Sequence, residues 1–187
     1  MRIRRTRIPG CLDIELKVFR DHRGSFVKHF HAAELSQAGI GTAFAEEYHT
    51  YSHRGVLRGM HFQIPPMEYA KIVCCISGEV LDAVVDLRVG SPMYGKCELF
   101  PLNGGNPRLI YLPPGLAHGF YVTGDHALML YQVTRPYSPV HDTGIVWNSA
   151  EIPWPSMDPI LSERDRSFPP LSGFASPFLY HGGKADA

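Results

Sequence analysis

Four side chains in this sequence have the chemical types that proton transfer at a carbon atom requires. They are His61 in RGMHFQ, Lys71 in AKIV, Tyr131 in LMLYQVT and Asp165 in LSERD. A histidine takes a proton from carbon only where an adjacent carbonyl acidifies that carbon, and it needs an orienting carboxylate. Asp165 could orient His61. Lys71 could hold an enolate oxygen, and Tyr131 could return the proton from the other side of the substrate.

Local sequence alone favours plainer roles for two of these residues. His61 stands between Met60 and Phe62, a setting typical of a packed histidine, and Tyr131 has the strand position of a core tyrosine. Lys71 is different, because burying an ammonium group in an apolar run is unfavourable without a partner. We therefore expect Lys71 to face a wet cavity or an anion.

A metal site is a competing interpretation of His61. Metal-binding barrels converge two or three histidines and a carboxylate on one ion. No second histidine or glutamate has ligand spacing around His61, and His118 is isolated too. Only His29 and His31 have such spacing, and they precede the barrel strands. We therefore predict a site without metal or other cofactor.

Arginines at three positions could bind an anion such as phosphate, because the guanidinium fork matches phosphate oxygens. They are Arg23 in DHRGSF, Arg58 in VLRG, and Arg164. Ordinary surface ion pairs explain them equally well. Arg58 and His61 are three residues apart, so a regular strand would point them to opposite faces. If both serve one site, the strand must bend or bulge near Gly59.

Composition narrows the possible functions. The 187 residues include 18 basic and 18 acidic ones, and this balance disfavours a nucleic-acid partner. No apolar run reaches the roughly 18 residues of a membrane helix, and no apolar stretch follows the basic start MRIRRTRIPG as in a secretory signal. We interpret the cysteines as reduced packing thiols of a cytoplasmic protein, with a Cys11–Cys97 disulfide left open. They are Cys11, Cys74, Cys75 and Cys97.

Glycine and proline separate short apolar runs of strand length, a pattern typical of an all-β sandwich or barrel. The runs are KIVCCI (71–76), EVLDAVVDL (79–87), KCELFPL (96–102), RLIYL (108–112), HGFYV (118–122) and ALMLYQVT (127–134). The convincing helix candidate is HAAELSQAG (31–39), which ends at a glycine. From about residue 148 the chain is Pro-rich, which predicts an irregular segment laid over the barrel, with a loose end at 175–187.

Several longer motifs occur in the order typical of one enzyme family. They are IPG (8–10), KVFRDHRGSF (17–26), GVLRGMHFQ (55–63), AKIV (70–73), GEVLDAVVDLR (78–88), SPMYG (91–95), LPPGLAHGF (112–120), LYQVTRPYSP (130–139), GIVWN (144–148) and LSERD (161–165). On these motifs the chain resembles the dTDP-4-dehydrorhamnose 3,5-epimerases, the RmlC-like cupins. The resemblance implies one jelly-roll cupin domain over 1–187 with its core at about 8–171. It also implies a homodimer that works without metal.

The resemblance further implies an isomerase of deoxysugar and polysaccharide biosynthesis. Such an enzyme epimerises a nucleotide-linked 4-keto-6-deoxyhexose at C3, C5 or both. By position, His61 matches the base and Asp165 its dyad partner. Tyr131 matches the proton donor, and Lys71 the residue beside the ketone oxygen. The matching substrate-binding positions are Arg23, Arg58, His118, Asp142 and Arg164.

The chain departs from the family pattern at positions that resemble the part of the site that binds the nucleotide base. Family members typically carry a glutamate where this chain has Lys28, and Gln-Asp-Asn where it has Glu46-Glu47-Tyr48. These positions resemble the pocket for the base, so Lys28, Glu46 and Tyr48 join the substrate-binding candidates. The base could be that of dTDP, CDP or GDP. Three rival functions stay open: a single-carbon epimerase, a non-catalytic sugar-nucleotide-binding cupin, and a sugar ketoisomerase.

Overall fold

The computed structural model describes residues 1–182, and β-strands dominate them. The strands are β1 (Arg2–Arg5), β2 (Leu12–Glu15), β3 (Val18–Asp21), β4 (Gly24–Val27), β5 (Glu46–His53), β6 (Leu57–Gln63), β7 (Lys71–Asp86), β8 (Cys97–Asn103), β9 (Arg108–Leu112), β10 (Leu116–Val133) and β11 (Asp142–Gly144). The helices are α1 (Ala32–Gln37) and α2 (Glu163–Ser167), with a 3-10 turn at Leu171–Gly173. The predicted all-β jelly roll of the cupin type, with few short helices, is confirmed.

Two long strands, β7 and β10, are shared by two sheets and thereby form the barrel. The first half of β7 pairs with β9 and its second half with β8. Residues His118–Tyr121 of β10 pair with β6, and residues His126–Val133 pair with β5. The first sheet therefore has the order β1-β2-β9-β7-β10-β5, and the second sheet has the order β8-β7-β10-β6-β11. Consequently, the two halves of each long strand lie on opposite walls.

The predicted breaks within these two strands are wrong, because each strand continues past the bend, although the β7–β10 register shifts between Val122 and Ala127. Runs 71–76 and 79–87 belong to β7, and runs 118–122 and 127–134 belong to β10. The bend lies at Gly78, which has φ +81° and whose added Cβ would lie 1.8 Å from the His126 carbonyl oxygen. A glycine between apolar runs therefore marks a close approach of two strands at this point, not a loop.

Three apolar clusters account for the burial of most strands. The interior cluster lies between the sheets and includes Val84, Ile110 and Phe120. The second cluster lies on the outer face of the second sheet, below the Pro-rich segment after residue 144. The third lies on the outer face of the first sheet, below α1. The predicted helix at 31–39 is confirmed as α1, with Leu35 fully buried in the third cluster.

Individual side chains of β7 follow the predicted alternation. Cys74 packs in the third cluster and Cys75 in the interior cluster, so they point to opposite faces as expected. All four cysteines are free thiols. The disulfide considered between Cys11 and Cys97 is therefore absent from the structure. Among residues 1–182, no helix has the length and apolarity that crossing a bilayer requires.

The C-terminal segment is packed over part of the range predicted to be loose. The Val89 N–H donates to the Phe178 carbonyl, and the Tyr180 N–H donates to the Val89 carbonyl, both at 2.9 Å. The Phe178 ring contacts the Phe62 ring at 5.9 Å between centroids. Burial of Phe178 explains why the prediction of a loose end is wrong up to Tyr180. Residues 183–187 of that prediction lie outside the described residues.

We expect Phe178→Ala to lower the free energy of unfolding by about 3 kcal/mol, because it leaves a cavity in the second cluster. Phe178 is 6% exposed, whereas its neighbour Leu179 is 62% exposed. Leu179→Ala is therefore the control, with an expected change below about 0.5 kcal/mol. Urea unfolding measures both variants. Equal, small changes would mean that the segment does not contribute to the core.

Candidate active site

Strand β6 carries two candidate residues on the same face because it is irregular. Leu57, Met60 and Phe62 all pack in the second cluster, outside the second sheet. A regular strand would place residues 57 and 60 on opposite faces. The intervening irregularity leaves Arg58 and His61 both on the inner face.

Gly59 is the residue that permits this irregularity. The pairing register between β6 and β10 shifts between His118 and Phe120. Gly59 has φ +143°, a conformation that favours glycine. A Cβ at Gly59 would lie 2.5 Å from the Gly119 Cα, so the two backbones approach too closely for any side chain. The structure thus has, near Gly59, the bulge that the sequence requires if Arg58 and His61 serve one site.

His61 is hydrogen-bonded to a buried carboxylate from the Pro-rich segment. Its Nε2 lies 2.7 Å from Asp165 Oδ1. The other carboxylate oxygen accepts the Gly59 backbone N–H at 3.2 Å. The His61 side chain is 26% exposed while the Asp165 side chain is 5% exposed. The second imidazole nitrogen, Nδ1, is therefore the one left to receive a proton from a bound molecule.

Helix α2 places Asp165, and its N-cap is Ser162. The Ser162 hydroxyl accepts the Asp165 backbone N–H at 3.1 Å, as N-cap residues do. Burial by itself would raise the pKa of Asp165. The hydrogen bond and charge of His61, with the Gly59 and Ser162 contacts, outweigh burial and hold that pKa below its usual value. Asp165 is thus an ionised partner that orients the imidazole.

Tyr131 lies on the opposite wall of the barrel, in the half of β10 that belongs to the first sheet. Its side chain is part of the interior cluster and is 5% exposed. Its hydroxyl lies 3.3 Å from the Thr50 hydroxyl. Burial raises the pKa of Tyr131 far above its usual value, against the opposing effects of Thr50 and Arg58. The phenol is therefore fully protonated at neutral pH.

His118 and Asp82 form a second, fully buried pair in the barrel interior. His118 Nε2 lies 2.7 Å from Asp82 Oδ2, and the His118 ring meets the Tyr131 ring edge-on at 6.2 Å. Burial raises the pKa of Asp82 and lowers that of His118, so both shifts favour the uncharged side chains. His118 is also the register partner of His61 on the adjacent strand. The pair thus connects the wall of His61 with that of Tyr131.

Lys71 is buried, and it faces aromatic rings rather than the anion or wet cavity that the sequence led us to expect. The ammonium nitrogen lies 5.1 Å from the Tyr69 ring centroid and 6.0 Å from the Tyr131 centroid. Such rings attract a cation without forming an ion pair. None of the salt bridges within residues 1–182 involves Lys71, so its N–H donors are available to an anionic oxygen in the barrel.

Polar groups at the mouth of the site form their own pairs. Arg164 is hydrogen-bonded to Asp142, and burial raises the pKa of Asp142 although Arg164, His61 and Lys71 oppose it. Arg58 donates to the Ser52 hydroxyl at 2.9 Å. Arg58, His118, Asp142 and Arg164 therefore lie near the predicted catalytic residues.

The three residues predicted to contact the nucleotide base lie in two different places. The Glu46 carboxylate accepts the Tyr137 backbone N–H at 3.0 Å and lies close enough to Tyr48 to raise its pKa, after the larger effect of burial. Glu46 and Tyr48 share the inner face of β5. Lys28 is exposed and acts on Glu34 of α1. The structure gives Lys28 no contact with the other site residues.

Arg23 is the clearest departure from the predicted constellation. It lies in the β3–β4 hairpin, a separate two-stranded sheet, and pairs with Asp21 at 2.6 Å. The side chain is 79% exposed. Sequence motifs could not predict that Arg23 lies away from the other site residues. They give the order of segments along the chain, but not whether a hairpin packs against its own barrel.

Sequence reasoning missed Asp82 and Thr50. A signal for Asp82 was present: it lies between Val80 and Val84, which face the interior cluster, and a buried carboxylate requires a partner. Thr50 carried no comparable signal, because threonine is common in strands. No group of three or more His, Cys, Asp or Glu side chains in residues 1–182 is arranged to hold a metal ion.

The arrangement as a whole places a histidine–carboxylate dyad and a protonated phenol on opposite walls of one barrel. The Lys71 ammonium group lies beside Tyr131 on one wall, and His118 lies beside His61 on the other. A ketone bound here would have a base on one side and an acid on the other. This geometry suits removal and return of a proton at a carbon next to the carbonyl.

Comparisons with known proteins agree with this chemistry. The sequence profile of the dTDP-4-dehydrorhamnose 3,5-epimerase family matches residues 5–173. The enzyme of that name from Pseudomonas aeruginosa is 41% identical over 170 residues, which cover 89% of this chain and 93% of that protein. A dTDP-4-dehydrorhamnose 3-epimerase from Streptomyces niveus is 38% identical over 169 residues, covering 89% of this chain and 82% of the relative.

A solved structure extends the similarity to the fold. The dTDP-6-deoxy-D-glucose-3,5-epimerase of Legionella pneumophila, determined in complex with dTDP-4-keto-L-rhamnose, superposes with a TM-score of 0.91. The two sequences are 34% identical, and the alignment covers 96% of this chain and 98% of the Legionella chain. The similarity therefore spans nearly the whole barrel.

We expect Asp165→Asn to lower the free energy of unfolding by about 1–3 kcal/mol at pH 7, because it breaks a buried hydrogen-bonded pair. The folded-state pKa of Asp165 is below its ordinary value of 3.8. Its ionic contribution is therefore present above about pH 4 and is lost as the pH falls through the lowered pKa. Urea unfolding between pH 7 and pH 3 should show a narrowing gap between wild type and variant.

Asp158→Asn is the matched control, since Asp158 is an exposed residue of the same segment. Its stability should stay within about 0.5 kcal/mol of wild type across this range. A gap for Asp165→Asn that stays constant down to pH 3 would contradict the assignment of Asp165 as the ionised partner.

Proposed function

The chain belongs to the dTDP-4-dehydrorhamnose 3,5-epimerase family and is an isomerase, and from this premise we propose that it inverts C3, C5 or both of a dTDP-linked 4-keto-6-deoxyhexose. The observation that carries the proposal is the position of the His61–Asp165 dyad and Tyr131 on opposing walls of one barrel. Inversion needs a base and an acid on opposite faces of the same carbon. A protein that only bound the sugar nucleotide would not need them.

In the first step, neutral His61 removes the proton from the carbon next to the C4 ketone. The C–H bonding electrons form a carbon–carbon double bond, and the C4 oxygen becomes an enolate. Asp165 holds the imidazole in place and stabilises the imidazolium that forms. General-base catalysis of this kind contributes roughly 10²–10⁴ in rate.

In the second step, the Tyr131 hydroxyl donates a proton to the same carbon from the opposite face. The enolate electrons return to that carbon, and the ketone is restored with inverted configuration. The product complex contains an imidazolium at His61 and a phenolate at Tyr131. The nearby Arg58 favours the phenolate. Transfer of one proton from His61 to Tyr131 through solvent resets the enzyme.

Lys71 is the residue that we propose stabilises the enolate oxygen. Its ammonium group is buried next to the Tyr131 ring. A donor aimed at an oxyanion in a water-poor site contributes about 3–4 kcal/mol to the transition state. The base, the acid and the oxyanion stabiliser are thus all side chains of this chain, and we propose that the reaction uses no metal or other cofactor.

We propose that Arg58 and Arg164 bind the diphosphate, with His118 and Asp142 contacting the sugar. Both guanidinium groups are near the mouth of the barrel, and such groups suit phosphate oxygens. The nucleotide base lies toward Glu46 and Tyr48, on the inner face of β5. Lys28 stays a candidate for the base end on the resemblance alone, because it is exposed and near Glu34.

A homodimer is the assembly that we propose. The β3–β4 hairpin carries Phe19 and Phe26, two exposed rings that touch each other at 6.2 Å. An exposed aromatic pair on a separate hairpin favours contact with a second chain. Arg23, at the tip of this hairpin, would then serve the substrate of the partner subunit. We also propose a cytoplasmic location, where the four free thiols would stay reduced.

The configuration of the product will show whether C3, C5 or both are inverted. Relatives named as a 3,5-epimerase and as a 3-epimerase have nearly the same identity to this chain. Both reactions can use the same dyad and phenol. Product NMR distinguishes them by the configuration at each carbon.

We expect His61→Ala to reduce deuterium uptake from deuterated water into a dTDP-linked 4-keto-6-deoxyglucose by about 10³-fold or more, because it removes the base. Tyr131→Phe should lower inversion far more than uptake, because proton loss still occurs. NMR measures both quantities. The control is His53→Ala, an exposed histidine of β5, which should keep wild-type rates.

Full exchange in His61→Ala would show that another group is the base. Absence of exchange in the wild-type enzyme, with every nucleotide ketosugar tested, would favour the non-catalytic sugar-nucleotide-binding cupin. A product with its carbonyl moved to C3 would favour the ketoisomerase.

We expect dTDP to bind more tightly than CDP or GDP by about tenfold, because a mismatched base leaves a polar group unpaired at a cost of roughly 1–3 kcal/mol. Calorimetric titration of the wild-type enzyme with the three free nucleotides measures this difference. Tighter binding of CDP or GDP would show that Glu46 and Tyr48 have changed the base specificity.

A further inference from the structure

Tyr48 stacks on Tyr131, the proposed acid, and the proposed mechanism assigns no role to this contact. Tyr48 and Tyr131 are direct cross-strand partners on β5 and β10. Their rings are stacked, with centroids 4.9 Å apart and planes inclined by 18°. Tyr48 is 40% exposed, whereas Tyr131 is 5% exposed. The Tyr48 ring therefore covers one face of the Tyr131 ring on the side toward solvent.

Thr50 adds a second constraint on the same phenol. It follows Tyr48 by two residues, so both side chains share the inner face of β5. The Thr50 hydroxyl lies 3.3 Å from the Tyr131 hydroxyl. The stack fixes the plane of the Tyr131 ring, and the hydroxyl contact fixes the tip of that ring. Together, two residues of one strand restrict the movement of the acid.

The position of the Tyr131 hydroxyl determines on which face of the carbon the enolate is protonated. If the Tyr131 hydroxyl is in place, the proton arrives on the face opposite His61 and the carbon inverts. If the hydroxyl is displaced, the protonated His61 can return a solvent-exchanged proton to the original face. A misplacement of about 1 Å costs on the order of 100-fold in such transfers. The result is isotope exchange without inversion.

We propose that Tyr48 is a positioning residue for Tyr131, and that its stack sets how many enolates are inverted for each proton exchanged. This inference rests on the proposed function of the same site. Tyr48 need not touch the reacting carbon, because it acts through the orientation of the phenol. Its own hydroxyl is not required for the stack, so the ring alone should suffice.

The test uses the full-length enzyme with a dTDP-linked 4-keto-6-deoxyglucose in deuterated water. NMR measures the ratio of inverted product to substrate labelled without inversion. We expect Tyr48→Phe, which keeps the ring, to stay within about twofold of the wild-type ratio. Tyr48→Ala should lower the ratio about tenfold or more, because the ratio depends on the position of the Tyr131 hydroxyl and not on how tightly the nucleotide is held.

Two further variants keep the test informative. Tyr51→Ala removes a ring on the outer face of the same strand, which stacks on His126 at 5.7 Å, and its ratio should equal that of wild type. Thr50→Val removes the hydroxyl contact at nearly constant volume and should lower the ratio in the same direction as Tyr48→Ala. If Tyr48→Ala does not fold, the ratio measured for Thr50→Val tests whether residues of β5 position the Tyr131 hydroxyl.

An unchanged ratio in both Tyr48→Ala and Thr50→Val would overturn the inference while leaving the proposed function intact. An equal fall in exchange and inversion would also overturn it, because that result means a loss of binding or folding rather than a misplaced acid. Absence of exchange in the wild-type enzyme would instead overturn the proposed function, and the inference with it.

Discussion

The hydrogen bond between His61 and Asp165 is the contact on which the site depends. The two residues are 104 positions apart in the chain, so the contact exists only when the Pro-rich segment lies against the barrel. Asp165 is buried and also accepts the Gly59 backbone N–H. Because an unpaired buried carboxylate is costly, the pair couples the position of the segment to the orientation of the imidazole. The docked segment is therefore part of the proposed active site as well as a cover for the core.

The bends in β7 and β10 explain how the two walls of the candidate site carry different functional side chains. Each of β7 and β10 crosses from one sheet to the other, so residues of a single strand face each other across the interior. His118 and Tyr131 are both on β10, yet their rings meet at 6.2 Å. In a flat sheet, residues 13 positions apart on one strand would be about 40 Å apart. The barrel thus places Tyr131 opposite the wall that carries His118 and its register partner His61, without a long loop.

Sequence reasoning predicted the fold class, the helix α1 and the bulge near Gly59, because each has a local signal. Apolar runs bounded by glycine and proline indicate strands, and the spacing of Arg58 and His61 required an irregularity. It failed at Gly78, where the same signal marks a bend within β7. Local sequence does not distinguish the two cases, because glycine serves both turns and close strand approaches.

The candidate site was predictable to the extent that motifs carry it. Motif positions identified His61, Asp165, Tyr131 and Lys71 as candidates, and the structure places the His61–Asp165 pair on one wall of the barrel and Tyr131 with Lys71 on the other. Asp82 was missed although a carboxylate facing an apolar interior is itself a signal. The packing of Phe178 and the exposure of Arg23 depend on tertiary contacts, which no local pattern encodes.

A crystal structure of His61→Asn with a bound dTDP-linked 4-keto-6-deoxyhexose tests the central claim most directly. The account predicts that the side chain at position 61 and the Tyr131 hydroxyl approach the reacting carbon from opposite faces, each at about 3–3.5 Å. The C4 oxygen should lie next to the Lys71 ammonium group. Electron density showing both groups on one face of the sugar, or the sugar bound away from Tyr131, would contradict it.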